Sequence, residues 1–131
     1  MRLLKFFILF YLSVAFTLSS SAQTFINHRG QDLFLNGINV AWMNYGNDLA
    51  LFDSEEWTTI CQNVVKAGGN SIRWWIHVDG RTTPTFDNNT KMVTGIDSKA
   101  LENLTLAMDI AASNGVVVSL CLWSKDMMSK T

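Results

Sequence analysis

The spacing of apolar residues along this chain changes several times between a strand-like and a helix-like period, and these changes predict strands that alternate with helices. A short antiparallel hairpin comes first, because residues 24–27 and 32–35 flank a polar turn that contains Gly30. Three further strands are predicted at residues 37–42, 71–76 and 116–122, and the last of them is a run rich in Val and Leu. The Val and Leu residues of the last run predict a strand that is buried on both faces.

Two helices are predicted between these strands. The first has Asp53 as its N-cap, apolar residues at helical spacing, and a glycine stop at Gly68. The second has Asp97 as its N-cap and ends at residues 114–115. Residues 77–96 form a long connection between the second strand and the second helix. Strands that alternate with helices imply parallel pairing and right-handed crossovers.

This order of elements predicts an α/β fold, the N-terminal portion of a (β/α)8 TIM barrel preceded by a β-hairpin. The loops after strands are long and chemically rich, and those after helices are short, as in barrels with an active face at the strand carboxyl ends. An open, doubly wound sheet would show the same order of elements. Its phosphate-binding motif G-x-G-x-x-G does not follow the first strand, so the barrel is favoured. A barrel needs about 250 residues, so we expect about three of eight βα units and a longer parent protein.

The first 22 residues have the pattern of a signal peptide. Arg2 and Lys5 precede an apolar run, and small residues end at Ala22. We therefore expect secretion, extracellular or periplasmic, and an incomplete barrel domain over residues 23–131. Without Arg2 and Lys5, eight of the ten basic residues remain against eleven acidic ones, a net charge of −3. That balance argues against nucleic acid as a partner, and against a membrane once the leader is removed.

Two cysteines, Cys61 and Cys121, lie in predicted regular elements. We interpret them as buried thiols in preference to a disulfide, since a buried cysteine behaves as a small hydrophobic residue. Neither has histidine or further cysteine at ligand spacing, so no metal site is predicted. No P-loop, zinc motif or catalytic-triad order is visible, and no cofactor is expected.

The residues that could bind a ligand or take part in chemistry lie at or just beyond the carboxyl ends of the three predicted strands. After the first strand they are Trp42, Asn44, Tyr45, Asn47 and Asp48, after the second Arg73, Trp75, His77 and Asp79, and after the third Trp123. The predicted site residues among them are Trp42, Tyr45, Arg73, Trp75, His77, Asp79 and Trp123. Aromatic faces pack against pyranose C–H groups, and guanidinium and carboxylate groups bond to hydroxyls. We therefore predict a substrate-binding cleft for carbohydrate. No pair of carboxylates is marked as acid and base, so the residues by themselves indicate no reaction.

Each candidate also has a structural interpretation. Trp42 could pack the top of the barrel, His77 could be a hydrogen-bonded strand end, and Asp79 could belong to a turn. Period-two alternation places Arg73 and Trp75 on one face of their strand, with Trp74 on the other, beneath a helix. An arginine inside a barrel needs a carboxylate partner, which we expect from elsewhere in the protein.

Two segments resemble family 5 glycoside hydrolases, especially their endo-β-1,4-mannanase-like members. NGINVAW at residues 36–42 is similar to the family's first-strand motif N-G-x-N-x-x-W. GNSIRWW at residues 69–75, running on to Asp79-Gly80, is similar to the second-strand motif, and the likeness extends over most of residues 25–124. The resemblance implies a retaining hydrolase of β-1,4-linked polysaccharide, with mannan favoured and cellulose or glucan next.

The resemblance also implies roles for individual residues. Arg73 would orient the carboxylate of the nucleophile, and Trp42 and Trp75 would line glycone-side subsites. Two catalytic glutamates are expected at the ends of strands four and seven, beyond Thr131, so no catalytic residue is assigned and the 131-residue chain is expected to be inactive alone. The alternative is a non-catalytic carbohydrate-binding or scaffold module that has the aromatic residues without the acids.

Overall fold

The structure is a computed structural model that describes residues 26–28 and 30–125. The predicted signal peptide and its cleavage site lie outside these residues. The chain divides into two compact units, Met1–Phe34 and Leu35–Thr131. In the first unit, β1 (Ile26–His28) pairs antiparallel with β2 (Gln31–Leu33), which confirms the predicted hairpin. Gly30 takes a positive φ of 81° in the turn, a conformation that favours glycine.

The second unit alternates strands and helices as the pattern predicts. Its elements in chain order are β3 (Gly37–Val40), α1 (Ser54–Lys66), β4 (Ser71–Trp75), β5 (Thr85–Phe86), β6 (Val93–Gly95), α2 (Ser98–Ser113) and β7 (Val117–Cys121). Strands β3, β4 and β7 form a parallel sheet in that order. The short antiparallel pair β5–β6 lies within the connection that was predicted without secondary structure. Among the described residues, no helix is long and apolar enough to cross a membrane.

Both helices begin where the sequence predicts. The Asp53 carboxylate accepts hydrogen bonds from the backbone N–H groups of Glu55 and Glu56, each at 2.9 Å. Asp97 caps α2 in the same way, through the backbone N–H groups of Lys99 and Ala100. Each cap satisfies N–H groups that have no partner within the helix.

The helices cover one face of the parallel sheet and enclose the core there. Trp57 of α1 and Trp74 of β4 are fully buried, with ring centroids 4.6 Å apart. The Trp57 indole N–H donates to the carbonyl of Ala107 in α2 at 2.9 Å, so one side chain joins both helices to the sheet. The burial of Trp74 beneath a helix confirms the alternation predicted for β4.

The opposite face of the sheet is open in the described structure. Asn39, Arg73 and Ser119 lie side by side on it, in register across the three strands, and all three are exposed. The prediction that the last strand is buried on both faces is wrong here, since Val117 and Leu120 are 38 % and 37 % exposed. Val117 lies on the open face, where no described element packs. Leu120 lies on the helix side with Trp74, but β7 is the last strand of the described sheet and the helices cover it there only in part.

Candidate functional site

The loops that follow the three parallel strands are joined to one another at the carboxyl edge of the sheet. The Thr82 hydroxyl donates to the carbonyl of Gly46 at 2.6 Å, which links the loops after β4 and β3. The backbone N–H and the hydroxyl of Ser124 both donate to the carbonyl of Val78, which links the loops after β7 and β4. Val78 is buried and has a φ of 47°, a strained conformation for a β-branched residue. The three loops therefore form one continuous surface.

Arg73 lies on the open face of the sheet among neutral partners. Its Nη1 donates to Oδ1 of Asn39 at 3.3 Å, and its Nη2 donates to the Cys121 sulfur at 3.3 Å. The guanidinium carbon lies 4.8 Å from the ring centre of Trp75, whose indole N–H also donates to Oδ1 of Asn39. Arg73 and Trp75 thus share a face, as alternation predicts. No described carboxylate forms an ion pair with Arg73.

Asn39 and Cys121 were not among the predicted site residues. Asn39 lies within the first-strand motif, and its position opposite Arg73 follows from the strand register, which the sequence does not state. Cys121 is partly exposed, so the prediction of two buried thiols holds for Cys61 alone. Burial raises the pKa of the Cys61 thiol. Both cysteines are free.

Trp42 and Tyr45 form an aromatic rim on the loop after β3, and Arg81, from the loop after β4, packs against it. The rings of Trp42 and Tyr45 meet edge to face, with centroids 4.8 Å apart, and are 41 % and 43 % exposed. The guanidinium carbon of Arg81 lies 4.6 Å from the ring centre of Tyr45. Arg81 was not predicted. The one signal in the sequence that could have identified it is its position two residues after the predicted site residue Asp79.

Asp79 forms a two-point ion pair with Arg81. Nε of Arg81 donates to Oδ1 at 2.9 Å and Nη2 donates to Oδ2 at 2.7 Å, and the Asp79 side chain is 9 % exposed. The hydrogen bond to Asp79 raises the pKa of Arg81. Asp79 therefore orients Arg81. A direct contact between Asp79 and substrate stays a prediction.

His77 and Trp123 form a second aromatic contact, between the loops after β4 and β7. Their ring centres lie 4.9 Å apart, and Nδ1 of His77 lies 2.8 Å from the hydroxyl of Thr83. His77 is buried and Trp123 is 41 % exposed. Burial lowers the pKa of His77, because an apolar environment disfavours the imidazolium form. The imidazole thus supports Trp123 from below the surface.

Asp48 is a buried carboxylate that fixes the loop after β3 to the core. Its oxygens accept hydrogen bonds from the backbone N–H groups of Met43 and Asn44 at 2.9 and 2.6 Å. They also accept one from the indole N–H of Trp74 at 2.8 Å. With three donors on one carboxylate, Asp48 has a structural role next to the rim.

Six of the seven predicted residues thus lie in three contact groups, on the open sheet face and in the loops at its carboxyl edge: Arg73 with Trp75, Trp42 with Tyr45, and His77 with Trp123. The seventh, Asp79, pairs with Arg81. The predicted residues do not line a groove of about 540 Å³ on α2 or one of about 250 Å³ between β3 and α1. Among the described residues, no group of three His, Cys, Asp or Glu side chains could hold a metal ion. The surface offers stacking faces and hydrogen-bond donors for a neutral ligand.

The chain is similar to curated proteins and to solved structures of one enzyme class. No family model matches the chain. The chain is 31 % identical over 116 residues to a mannan endo-1,4-beta-mannosidase of Mytilus edulis and 36 % identical over 117 residues to one of Cryptopygus antarcticus. The alignments include 86 % and 82 % of this chain. The chain spans 31 % and 29 % of these relatives, under a third of their length.

A solved structure gives the same result in three dimensions. The X-ray structure of beta-mannanase from the blue mussel Mytilus edulis superposes with a TM-score of 0.70 at 30 % sequence identity. The superposition covers 81 % of this chain and 33 % of that one. The α/β arrangement of the described residues therefore matches part of a β-mannanase.

Proposed function

We propose, from the chain's relationship to the β-mannanases of glycoside hydrolase family 5, that it is part of a hydrolase of β-1,4-linked mannan. The predicted resemblance to this family is confirmed by those relatives. One observation carries the proposal: the identity to mannan endo-1,4-beta-mannosidases extends over more than four fifths of the chain. The loop surface with its aromatic rim supports the same substrate class, because it offers stacking faces and donors to hydroxyls.

The complete domain, in this proposal, is a (β/α)8 barrel, and the sheet of β3, β4 and β7 is its first part. The parallel order and the chemically rich loops at the carboxyl ends support this. So does the open sheet face, because the interior of a barrel is filled by residues from all of its strands. The protein is secreted in this proposal, on the basis of the signal-peptide pattern in residues 1–22.

The proposed reaction is hydrolysis with retention of anomeric configuration. It uses two glutamates from strands four and seven, about 5–5.5 Å apart, as acid/base and nucleophile. Arg73 then supplies the positive charge that holds the nucleophile ionised and oriented. The surroundings of Arg73 support this role, since its described partners are neutral groups of Asn39, Trp75 and Cys121 and leave its charge available to a carboxylate.

The test is to express the coding sequence that contains residues 1–131 together with whatever follows it. Hydrolysis of galactomannan is expected, with slower or no release from cellulose, glucan and xylan, and with products of retained configuration by proton NMR. A product that binds mannan without cleaving it would instead indicate the non-catalytic module. Products of inverted configuration would refute the retaining mechanism alone.

A further inference from the structure

We infer that Arg81 is a substrate-binding residue, and that it donates hydrogen bonds to a neutral, hydroxyl-rich sugar lying on the aromatic rim. The inference rests on the proposed function for the identity of the ligand as a polysaccharide. It adds to the sequence-based assignment, in which Asp79 was one of six predicted substrate-binding residues and Arg81 had no role.

The first step concerns the donors of the guanidinium group. An arginine side chain has five N–H donors in a fixed fork. Asp79 takes the Nε edge and one N–H of Nη2. No acceptor among residues 26–28 and 30–125 takes a hydrogen bond from Nη1 of Arg81. The side chain is 42 % exposed, so these remaining donors are accessible to a ligand.

The second step concerns orientation. Asp79 holds one edge of the guanidinium, and the ring of Tyr45 holds one face at 4.6 Å. Gly46 lets the backbone of the loop after β3 approach closely, because a Cβ there would lie 3.3 Å from Cδ of Arg81. Arg81 is therefore positioned before a ligand arrives, which reduces the entropy lost on binding.

The third step concerns the charge of the ligand. The Asp79 carboxylate already balances the Arg81 guanidinium, and no other acidic side chain contacts Arg81 among the described residues. An anionic sugar would gain little from a paired cation and would lie close to Asp79. A neutral sugar is not repelled by Asp79, and it can stack on the exposed faces of Trp42 and Tyr45 beside the donors. The geometry therefore favours neutral polysaccharide over a polyuronate.

Affinity electrophoresis of the full 131-residue chain in native gels tests this inference. The gels contain galactomannan or, separately, polygalacturonate, and the variants are Arg81→Met, Arg81→Lys and the control Lys99→Met. Lys99 is a suitable control because it forms an exposed ion pair with Glu102 on α2. Near-ultraviolet circular dichroism checks that each variant is folded.

Galactomannan is expected to retard the wild type and Lys99→Met equally, while polygalacturonate retards neither. Both Arg81 variants are expected to bind galactomannan about tenfold or more weakly, the loss typical of removing a charged hydrogen-bond donor. Lysine retains the charge and can pair with Asp79, but it lacks the planar fork. Arg81→Lys therefore decides the result if Arg81→Met fails to fold.

Three results would overturn the inference: wild-type affinity in Arg81→Lys, no retardation of the wild type by galactomannan, or stronger retardation by polygalacturonate. The proposed function fails separately. If the chain binds galactomannan through Arg81 but the longer product hydrolyses nothing, the inference stands and the hydrolase assignment falls. If the longer product hydrolyses mannan and the Arg81 variants bind normally, the reverse holds.

Discussion

Asp48 holds the loop after β3 in place through its hydrogen bonds. It is buried beside the candidate site and does not form part of its exposed surface. A carboxylate accepts several N–H donors at once, and here two backbone groups and the Trp74 indole converge on it. Trp74 is itself packed against Trp57 in the core. The rim at Trp42 and Tyr45 is therefore attached to the most buried part of the molecule.

We predict that Asp48→Asn destabilises the chain. The amide has one acceptor oxygen and turns an N–H group towards the remaining donors, so a buried donor loses its partner at a cost of about 1–3 kcal/mol. Urea unfolding followed by tryptophan fluorescence measures the free energy of unfolding. Asp109→Asn is the matched control, because Asp109 is exposed on α2. Equal stability of the two variants would show that the Asp48 carboxylate does not fix the loop.

His77 predicts a pH dependence of stability. Burial lowers its pKa from the usual 6.5, so the unfolded chain binds more protons than the folded chain in the interval between the two pKa values. This contribution to stability is complete above the unfolded pKa and is lost as the pH falls through that interval.

The expected result is a free energy of unfolding that decreases between about pH 7 and pH 5, with a shallower decrease in His77→Gln. Urea unfolding at several pH values measures it. His28→Gln is the control, because His28 is exposed in the hairpin. An unchanged slope in His77→Gln would assign the pH dependence to other groups.

At the scale of elements, the pairing of β3 with β4 depends on a glycine. Gly37 is paired with Ser71, and a Cβ at position 37 would collide with the backbone carbonyl of Ser71. Backbone atoms in a sheet cannot move aside as the end of a flexible side chain can. The glycine of the first-strand motif therefore has a steric explanation in this sheet.

We expect Gly37→Ala to lower the free energy of unfolding by about 1–3 kcal/mol, the usual cost of overpacking. Gly95→Ala in β6 is the control, since the nearest atom to a Cβ there lies at 3.8 Å, an ordinary contact distance. Thermal unfolding by circular dichroism compares the two. A stable Gly37→Ala variant would mean that β3 can shift relative to β4 without loss.

At the scale of the whole molecule, one face of the parallel sheet is covered and the other carries the polar residues of the site. The helices bury Trp57 and Trp74 on the covered face. Asn39, Arg73 and Trp75 occupy the open face, where the described residues bring neutral partners to Arg73. In the proposed barrel, this face becomes the interior and receives the two glutamates.

We predict that the purified 131-residue chain does not hydrolyse galactomannan. The physical reason is that a retaining mechanism needs two carboxyl groups about 5–5.5 Å apart. The two described carboxylates in the loops of the candidate site already have partners: Asp48 accepts from three donors, and Asp79 pairs with Arg81. Reducing-sugar release over a long incubation measures it, with the longer coding product as the positive control. Release above background by the 131-residue chain would contradict the proposal that both catalytic glutamates come from strands four and seven.

The sequence by itself determined the features that depend on local order. Asp53 and Asp97 identify the helix starts because a cap bonds only to residues two or three positions away. Alternation with period two placed Arg73 and Trp75 on one face and Trp74 on the other, because successive side chains of a strand point to opposite faces. The short strands β5 and β6 were missed, since two or three residues are too few to show a period.

Only the tertiary structure decided which side chains meet. Asn39 contacts Arg73 from 34 positions away, and Asp48 contacts Trp74 from 26. Arg81 meets Tyr45 only because the loops after β3 and β4 lie together. A contact between loops depends on strand register and on the path of each loop, and neither leaves a periodic signal in the chain. The same limit applies to the exposure of β7, because the burial of a strand depends on what packs against it.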